Sequence, residues 1–221
     1  MASIAAVEQA IQARHLLKHP FYLAWTAGTL PRAALVDYAR QYYAFESRLP
    51  RFLTALHARC EDADARASLL ANAWDEEHGE RNHPELWLRF AEALGVTRDE
   101  VQRATPHAAT RKLLDVYGEA AGRAPVEAGV ATLYAYESQL PAVAEAKIAG
   151  LKQHYGIGVG DGLAFFEVHR AVDVHHAGAE RRILESAPAS SAEAVLAWAD
   201  RALGAWWGFL AGIEHQAPCP R

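Results

Sequence analysis

Two six-residue stretches, Phe45-Glu-Ser-Arg-Leu-Pro50 and Tyr136-Glu-Ser-Gln-Leu-Pro141, carry the same glutamate, serine, leucine and proline at the same offsets. Each lies within a run whose apolar residues recur at i, i+3 and i+4, the period of a helix buried along one side. Each is followed roughly 30 residues later by a helical segment bearing histidines and carboxylates, 76–83 after the first and 169–176 after the second. A chain with this internal echo is constrained to two related helical halves facing each other. Strand-like alternation is nearly absent elsewhere, so the class is all-α.

Local signals place the helices. Ser3 is the expected cap of a helix reaching about Lys18, and Pro20 opens a short segment ending at Gly28. Pro31 starts a helix to about Arg59, with Pro50 expected as a kink. A helix over residues 64–94 contains Gly79 and Pro84, and Thr97-Arg-Asp-Glu100 reads as a capping box for a short connector. Pro106 opens a helix fading near Gly122, and Pro125 opens one continuing to about Tyr155 through Pro141. A glycine-rich break at Gly156, Gly158, Gly160 and Gly162 precedes the helix of His169. Ser190-Ser-Ala-Glu193 is the expected cap of the last helix, which ends near His215.

Composition narrows the function. With 221 residues, 51% of them apolar, and no low-complexity linker, one domain over residues 1–214 with a short tail at 215–221 is expected. A net charge of −5 without a Lys/Arg cluster argues against nucleic acid and anionic membranes as partners. The N-terminus lacks a basic leader and the apolar run at 205–213 is too short to span a bilayer, so a cytoplasmic protein is expected. Cys60 and Cys219 suggest no disulfide framework, which leaves histidine and carboxylates for any metal chemistry.

That chemistry is concentrated at His169, Asp173 and His176. Their i, i+4, i+7 spacing puts them within roughly a 60° arc of one helix face. Phe165, Phe166, Val168, Val172 and Val174 suggest a largely buried helix, where three ionisable groups need compensation and a divalent ion supplies it. Glu137 offers a carboxylate, and the stretch Asp75-Glu-Glu-His-Gly-Glu-Arg-Asn-His83 offers more, the inventory from which helical bundles build two-metal sites. Glu76 and His83 are about 10 Å apart along an ideal helix and need a distortion that Gly79 and Pro84 make plausible, whereas Glu80 and His83 form an i, i+3 pair; spacing does not choose between them. Asp75, Glu77 and Glu80 otherwise read as a solvated acidic face, and His78 and His175 point off the ligand face. With only nitrogen and oxygen donors, iron or manganese suits the set better than structural zinc, and open positions would admit dioxygen.

As a set, His19-Pro-Phe-Tyr22, Trp25, Gly28, Tyr42-Tyr43, Asp75-Glu-Glu77, Asn82-His83, Leu86-Trp87, Leu133-Tyr-Ala-Tyr-Glu-Ser-Gln139, Lys147-Ile-Ala-Gly-Leu151 and the His169 triplet are specific. The chain resembles the family of the chlamydial death-domain-associating protein, among the heme-oxygenase-like two-metal oxidases that share a fold with thiaminase II and PqqC. The resemblance implies a heme-oxygenase-like, TenA/PqqC-like bundle of about seven to nine helices with a pseudo-two-fold repeat. It implies Glu76, His83, Glu137, His169, Asp173 and His176 as ligands of two iron ions or a manganese/iron pair, with Glu80 as fallback. It also implies oxygen-dependent synthesis of 4-aminobenzoate, a folate precursor, from the protein's own Tyr22 with Lys147 as amino donor and an external reductant. Glu46 stands where several other oxidases of this fold place a metal ligand, which allows a seventh ligand and a reaction on an external small molecule by N-oxygenation or C–C cleavage. A homodimer is expected. A non-catalytic interaction module is the remaining alternative. Thiaminase chemistry is disfavoured because no activating group surrounds Cys60 in sequence, and cofactorless PqqC-like oxidation would leave the His169 triplet without its ion.

Overall fold

The computed structural model describes the backbone of residues 2–158 and 160–216 and the side chains of 4–158 and 160–213. Twelve α-helices and two 3₁₀ turns form among these residues, and none lies in a strand. The count exceeds seven to nine because prolines interrupt helices whose apolar period runs on. The expected helix over 31–59 is two, α3 (Arg32–Glu46) and α4 (Leu49–Arg59). Residues 64–94 form α5 (Ala63–Glu77) and α6 (His83–Ala93), and residues 125–155 form α9 (Val126–Glu137) and α10 (Leu140–His154).

The duplicated motif explains two of these breaks. A proline ring collides with the carbonyl four residues before it. For Pro50 that residue is Glu46 and for Pro141 it is Glu137, and each glutamate is the last residue of its helix. Ser47 and Ser138 cap the two ends with right-handed helical φ of −66° and −61°, so each kink is a two-residue interruption of the hydrogen-bond ladder rather than a reversal. The two copies therefore share one local structure, and each presents a glutamate at a helix C-terminus.

At the other ends the chain departs from expectation in small ways. α1 (Ala2–Ala13) stops before Lys18, and Leu16–Lys18 is a 3₁₀ turn leading to α2 (Pro20–Ala27). Ser3, expected as the cap, lies inside α1, which already begins at Ala2; its side chain is outside the described ones. The capping box at Thr97 forms with both of its bonds at the start of α7 (Arg98–Gln102), and α8 spans Ala108–Arg123. α11 (Asp161–Ser186) follows a glycine break where Gly156 and Gly160 adopt φ of +71° and +77°. Ser190 and Ser191 lie in a 3₁₀ turn, Ala189–Ser191, that runs directly into α12 (Ala192–Gln216); Ser191 Oγ donates to the Pro188 carbonyl at 2.7 Å. α12 continues through Gln216, so residues 215 and 216, expected in the tail, are helical, and residues 217–221, Cys219 included, lie outside the described residues.

α9 is the centre of the packing. Its residues 128–137 are all buried, which explains why it shows no amphipathic pattern: it is covered by α12, α11 and α8. Tyr136 stacks on Trp206 of α12 with centroids 3.9 Å apart, and Tyr117 of α8 accepts from Trp206 Nε1 at 2.9 Å. α11 packs against α10, α6, α9 and α5, so its polar stripe faces into the bundle. α10 approaches α2 closely because residue 150 is glycine; a Cβ there would lie 2.6 Å from Trp25 Cδ1. Trp25 Nε1 donates to the Lys147 carbonyl at 3.2 Å, which brings Lys147 and Tyr22 to the same region of the core. Among the described residues, no helix is long and apolar enough to cross a membrane.

Candidate metal centre

Five helices bring the expected ligands together. Glu46 ends α3, Glu76 stands in the last turn of α5, His83 opens α6, Glu137 ends α9, and His169, Asp173 and His176 line α11. All seven are buried. Glu76 and His83 meet because the helix breaks instead of bending. His78 is extended, Gly79 takes φ of +83°, and Asn82 caps α6 by accepting from Glu85 N at 3.0 Å. The turn sets Glu76 Oε2 2.8 Å from His83 Nδ1. Glu80, the fallback, is exposed, as are Asp75, Glu77, His78 and His175.

The ligand atoms fall into two groups. One atom each from Glu46, His83 and His169 lie within 4.8 Å of one another, and so do atoms of Glu137, Asp173 and His176. Glu76 joins the first group through His83, whose ring centroid is 4.5 Å from that of His169. In the second, His176 Nδ1 lies 3.8 Å from Glu137 Oε2 and 3.6 Å from Asp173 Oδ1. Asp173 stands between the groups, since its Oδ2 accepts from His169 Nδ1 at 2.9 Å. That bond fixes the His169 tautomer and leaves Nε2 with a lone pair. Asp75 Oδ2 does the same for His176 by accepting from Nε2 at 3.1 Å, which frees Nδ1.

The donor set fits divalent metal ions. Both Glu46 oxygens, Glu137 Oε1, His169 Nε2 and His176 Nδ1 are buried without a hydrogen-bond partner among the described residues, and Glu76 Oε2 and His83 Nδ1 have only each other. Orphans of this kind are rare singly, and five converging on two points are the arrangement that cations satisfy. The electrostatics agree. Burial, reinforced by Glu76, holds the Glu46 carboxyl well above the usual carboxylate range, and burial pushes Glu137 up to about 8. Burial works against ionised Glu76 as well, but His83 and His169 outweigh it and hold the carboxyl low. Asp173 is likewise held low, with His169 overcoming its burial. His176 rises to about 9 because Asp173, Glu137 and Asp75 outweigh its burial.

Beside Glu46 lies an aromatic chamber holding the two other expected residues. Lys147 is 2% exposed, and its Nζ donates to Tyr38 Oη at 2.7 Å while lying 5.1–5.6 Å from the ring centroids of Tyr22, Tyr38, Tyr42 and Phe166. Tyr22 Oη is 3.5 Å from Tyr38 Oη, and Tyr42 Oη is 2.8 Å from Tyr136 Oη. Burial pushes the Lys147 amine down to about 7, partly opposed by the charge of Glu46. Burial also pushes the Tyr22 phenol well above its ordinary value.

Sequence reasoning missed four residues here. Tyr38 joins Lys147 to Tyr22, Asn72 Nδ2 donates to Glu137 Oε2 at 3.0 Å, Asp75 orients His176, and Glu180 lies buried one turn beyond His176. For Glu180 a signal existed, because it continues the i, i+4, i+7 stripe at i+11. Asp75 looked like part of a solvated face and is half exposed, so only its contact distinguishes it.

Comparison with known proteins bears on what this site belongs to. A family profile described as iron-containing redox enzyme matches residues 36–218. The 4-aminobenzoate synthase of Nitrosomonas europaea is 41% identical over 96% of this chain and 91% of its own length. That of Chlamydia muridarum is 37% identical over 95% of this chain and 89% of its own. The solved structure of a TenA homologue from P. horikoshii covers 96% of this chain and 95% of its own at a TM-score of 0.77, with 18% identity, and shows the shared heme-oxygenase-like fold. The pairing of a two-group ligand cluster with near full-length similarity to these synthases has one conclusion: the chain belongs to the 4-aminobenzoate synthase family of iron-containing redox enzymes.

Proposed function

We propose that this chain makes 4-aminobenzoate in an oxygen-dependent reaction, taking the aromatic ring from Tyr22 and the nitrogen from Lys147. The observation that carries the reading is the buried Lys147 amine, hydrogen-bonded to Tyr38 at 2.7 Å and facing the Tyr22 ring at 5.5 Å. Two ions, both iron or manganese with iron, held by Glu46, Glu76, His83 and His169 and by Glu137, Asp173 and His176, would supply dioxygen reduction with electrons from an external reductant.

The product dictates what the residues must do. 4-Aminobenzoate carries nitrogen where tyrosine carries its phenolic oxygen, and a carboxylate where tyrosine carries Cβ. The Cα–Cβ bond of Tyr22 and the Cε–Nζ bond of Lys147 must therefore break, the Cζ oxygen must leave in exchange for Nζ, and Cβ must be oxidised to the carboxylate at the expense of dioxygen. An amine titrating near 7 keeps a large neutral fraction with a lone pair available, which an exposed lysine lacks at neutral pH. Tyr38 accepts the Nζ–H and holds the amine toward Tyr22. Phe21, Trp25, Trp87 and Phe166, all fully buried, keep bulk water from the reacting groups.

A homodimer accords with the exposed Leu70 and Trp74 side chains on α5, and sedimentation equilibrium measures it. The reaction itself is tested by exposing reduced, metal-loaded protein to dioxygen and weighing the intact chain. Release of 4-aminobenzoate with a matching loss of mass is expected, and Tyr22→Phe should abolish both. Unchanged mass without 4-aminobenzoate sinks the reading and moves the chemistry to a separate small molecule. Failure to bind near two ions per chain moves it to a non-catalytic interaction protein.

A further inference from the structure

α11 carries one more acid on the face that holds His169, Asp173 and His176. Glu180 follows His176 by four residues, about 6 Å along the helix axis. Helical side chains lean toward the N-terminus, so a glutamate at this position throws its carboxylate back toward His176 rather than outward. Glu180 is 3% exposed, and neither of its oxygens has a hydrogen-bond donor among the described residues.

The side chain within hydrogen-bond reach of it is Glu137, another acid, which brings no compensating positive charge. The charges nearest the carboxylate are Glu137 on α9 and Asp173 on its own helix, and the hydroxyls within its field are Tyr117 of α8 and Tyr134 of α9. Burial beside two further carboxylates leaves an ionised Glu180 unfavourable unless a proton shared with Glu137 or a cation lies among them. The place is reachable from outside. A cleft of about 200 Å³ between α5 and α11, lined by Asn72, Asp75, His176 and Glu180 among others, leads from the surface to this point. Asn72 ties Glu137 at Oε2, so Glu180 is the freer of the two facing carboxylates.

We propose that Glu180 is a fourth ligand, with Glu137, Asp173 and His176, of the second metal ion. The inference rests on the two-metal reading above and adds a residue to it. In this arrangement Glu180 brings a third carboxylate to a group that already holds Glu137 and Asp173.

Anaerobic titration with Mn(II), followed by calorimetry and by electron paramagnetic resonance, tests the proposal without any turnover. Wild-type protein should take up two ions. Glu180→Gln should retain the first affinity, weaken the second by at least about tenfold and lose the signal of a coupled Mn(II) pair at concentrations where wild type shows it. The apoprotein of this variant should melt at or above wild type, because an uncompensated buried carboxylate has been removed. If Glu180→Gln does not fold, Glu180→Asp keeps the charge, shortens the arm by one methylene and is read the same way. Two ions bound by the variant with unchanged affinities overturn the Glu180 assignment and leave the two-metal reading intact. Fewer than two ions bound by wild type overturn both.

Discussion

Replacing Lys147 with methionine should make the protein more stable, and by an amount that depends on pH. Met keeps the unbranched stem and removes the amine, which is fully buried and titrates at about 7 instead of 10.5. At about 1.4 kcal/mol per decade of proton affinity, that displacement sets a ceiling of roughly 5 kcal/mol on the penalty for burying the charged form. At pH 7 about half the folded chains carry the neutral amine, so the penalty there is about 4 kcal/mol, and losing the bond to Tyr38 returns about 1 kcal/mol. The net expectation is that Lys147→Met is more stable by about 3 kcal/mol at pH 7. Because the folded value lies below the unfolded one, the unfolded chain binds more protons between pH 7 and 10.5, and the wild type gains stability as pH rises through that window. The gap should therefore close to near zero by about pH 10. Urea unfolding of both proteins at pH 7, 8.5 and 10 measures it. A gap that is equal at pH 7 and 10, or a variant less stable at pH 7, refutes the picture of a buried amine titrating near 7.

Three other expectations follow from the geometry. Asp75→Ala should free the His176 ring and weaken the second Mn(II) by about tenfold while sparing the first, since Asp75 alone among the ligand partners reaches the surface; titration of both sites checks it. Binding of the second ion should strengthen from pH 7 to 9 and release protons, because the ion must displace protons from His176, which titrates at about 9, and Glu137, at about 8. Calorimetry in buffers of different ionisation enthalpy counts those protons, and a flat pH profile would count against the assignment. Gly150→Ala drives a Cβ to 2.6 Å from Trp25 and should cost about 1–3 kcal/mol in denaturant unfolding, with loss of product as Lys147 moves away from Tyr22.

The α11 stripe was legible because helical periodicity and burial both follow from residue order, and the echo around Glu46 and Glu137 was legible because proline acts on the carbonyl four residues back. What the order of residues does not carry is how a helix yields to its proline. At Pro50 and Pro141 the backbone stays right-handed, while between His78 and Asn82 it leaves the helix altogether, and only that break sets Glu76 rather than Glu80 against His83. Tyr38 and Asn72 were out of reach for another reason. Both sit on helices where aromatic or polar residues are common, and their roles arise from contacts between helices far apart in the chain.

The most direct test of the reaction is to trace the atoms of the product. Protein prepared with nitrogen-labelled lysine and ring-labelled tyrosine, loaded with metal, reduced and exposed to dioxygen in unlabelled buffer, should release 4-aminobenzoate carrying both labels, with the tryptic peptides containing Tyr22 and Lys147 altered in mass. Unlabelled 4-aminobenzoate, or labelled protein recovered with both peptides intact, would contradict the account.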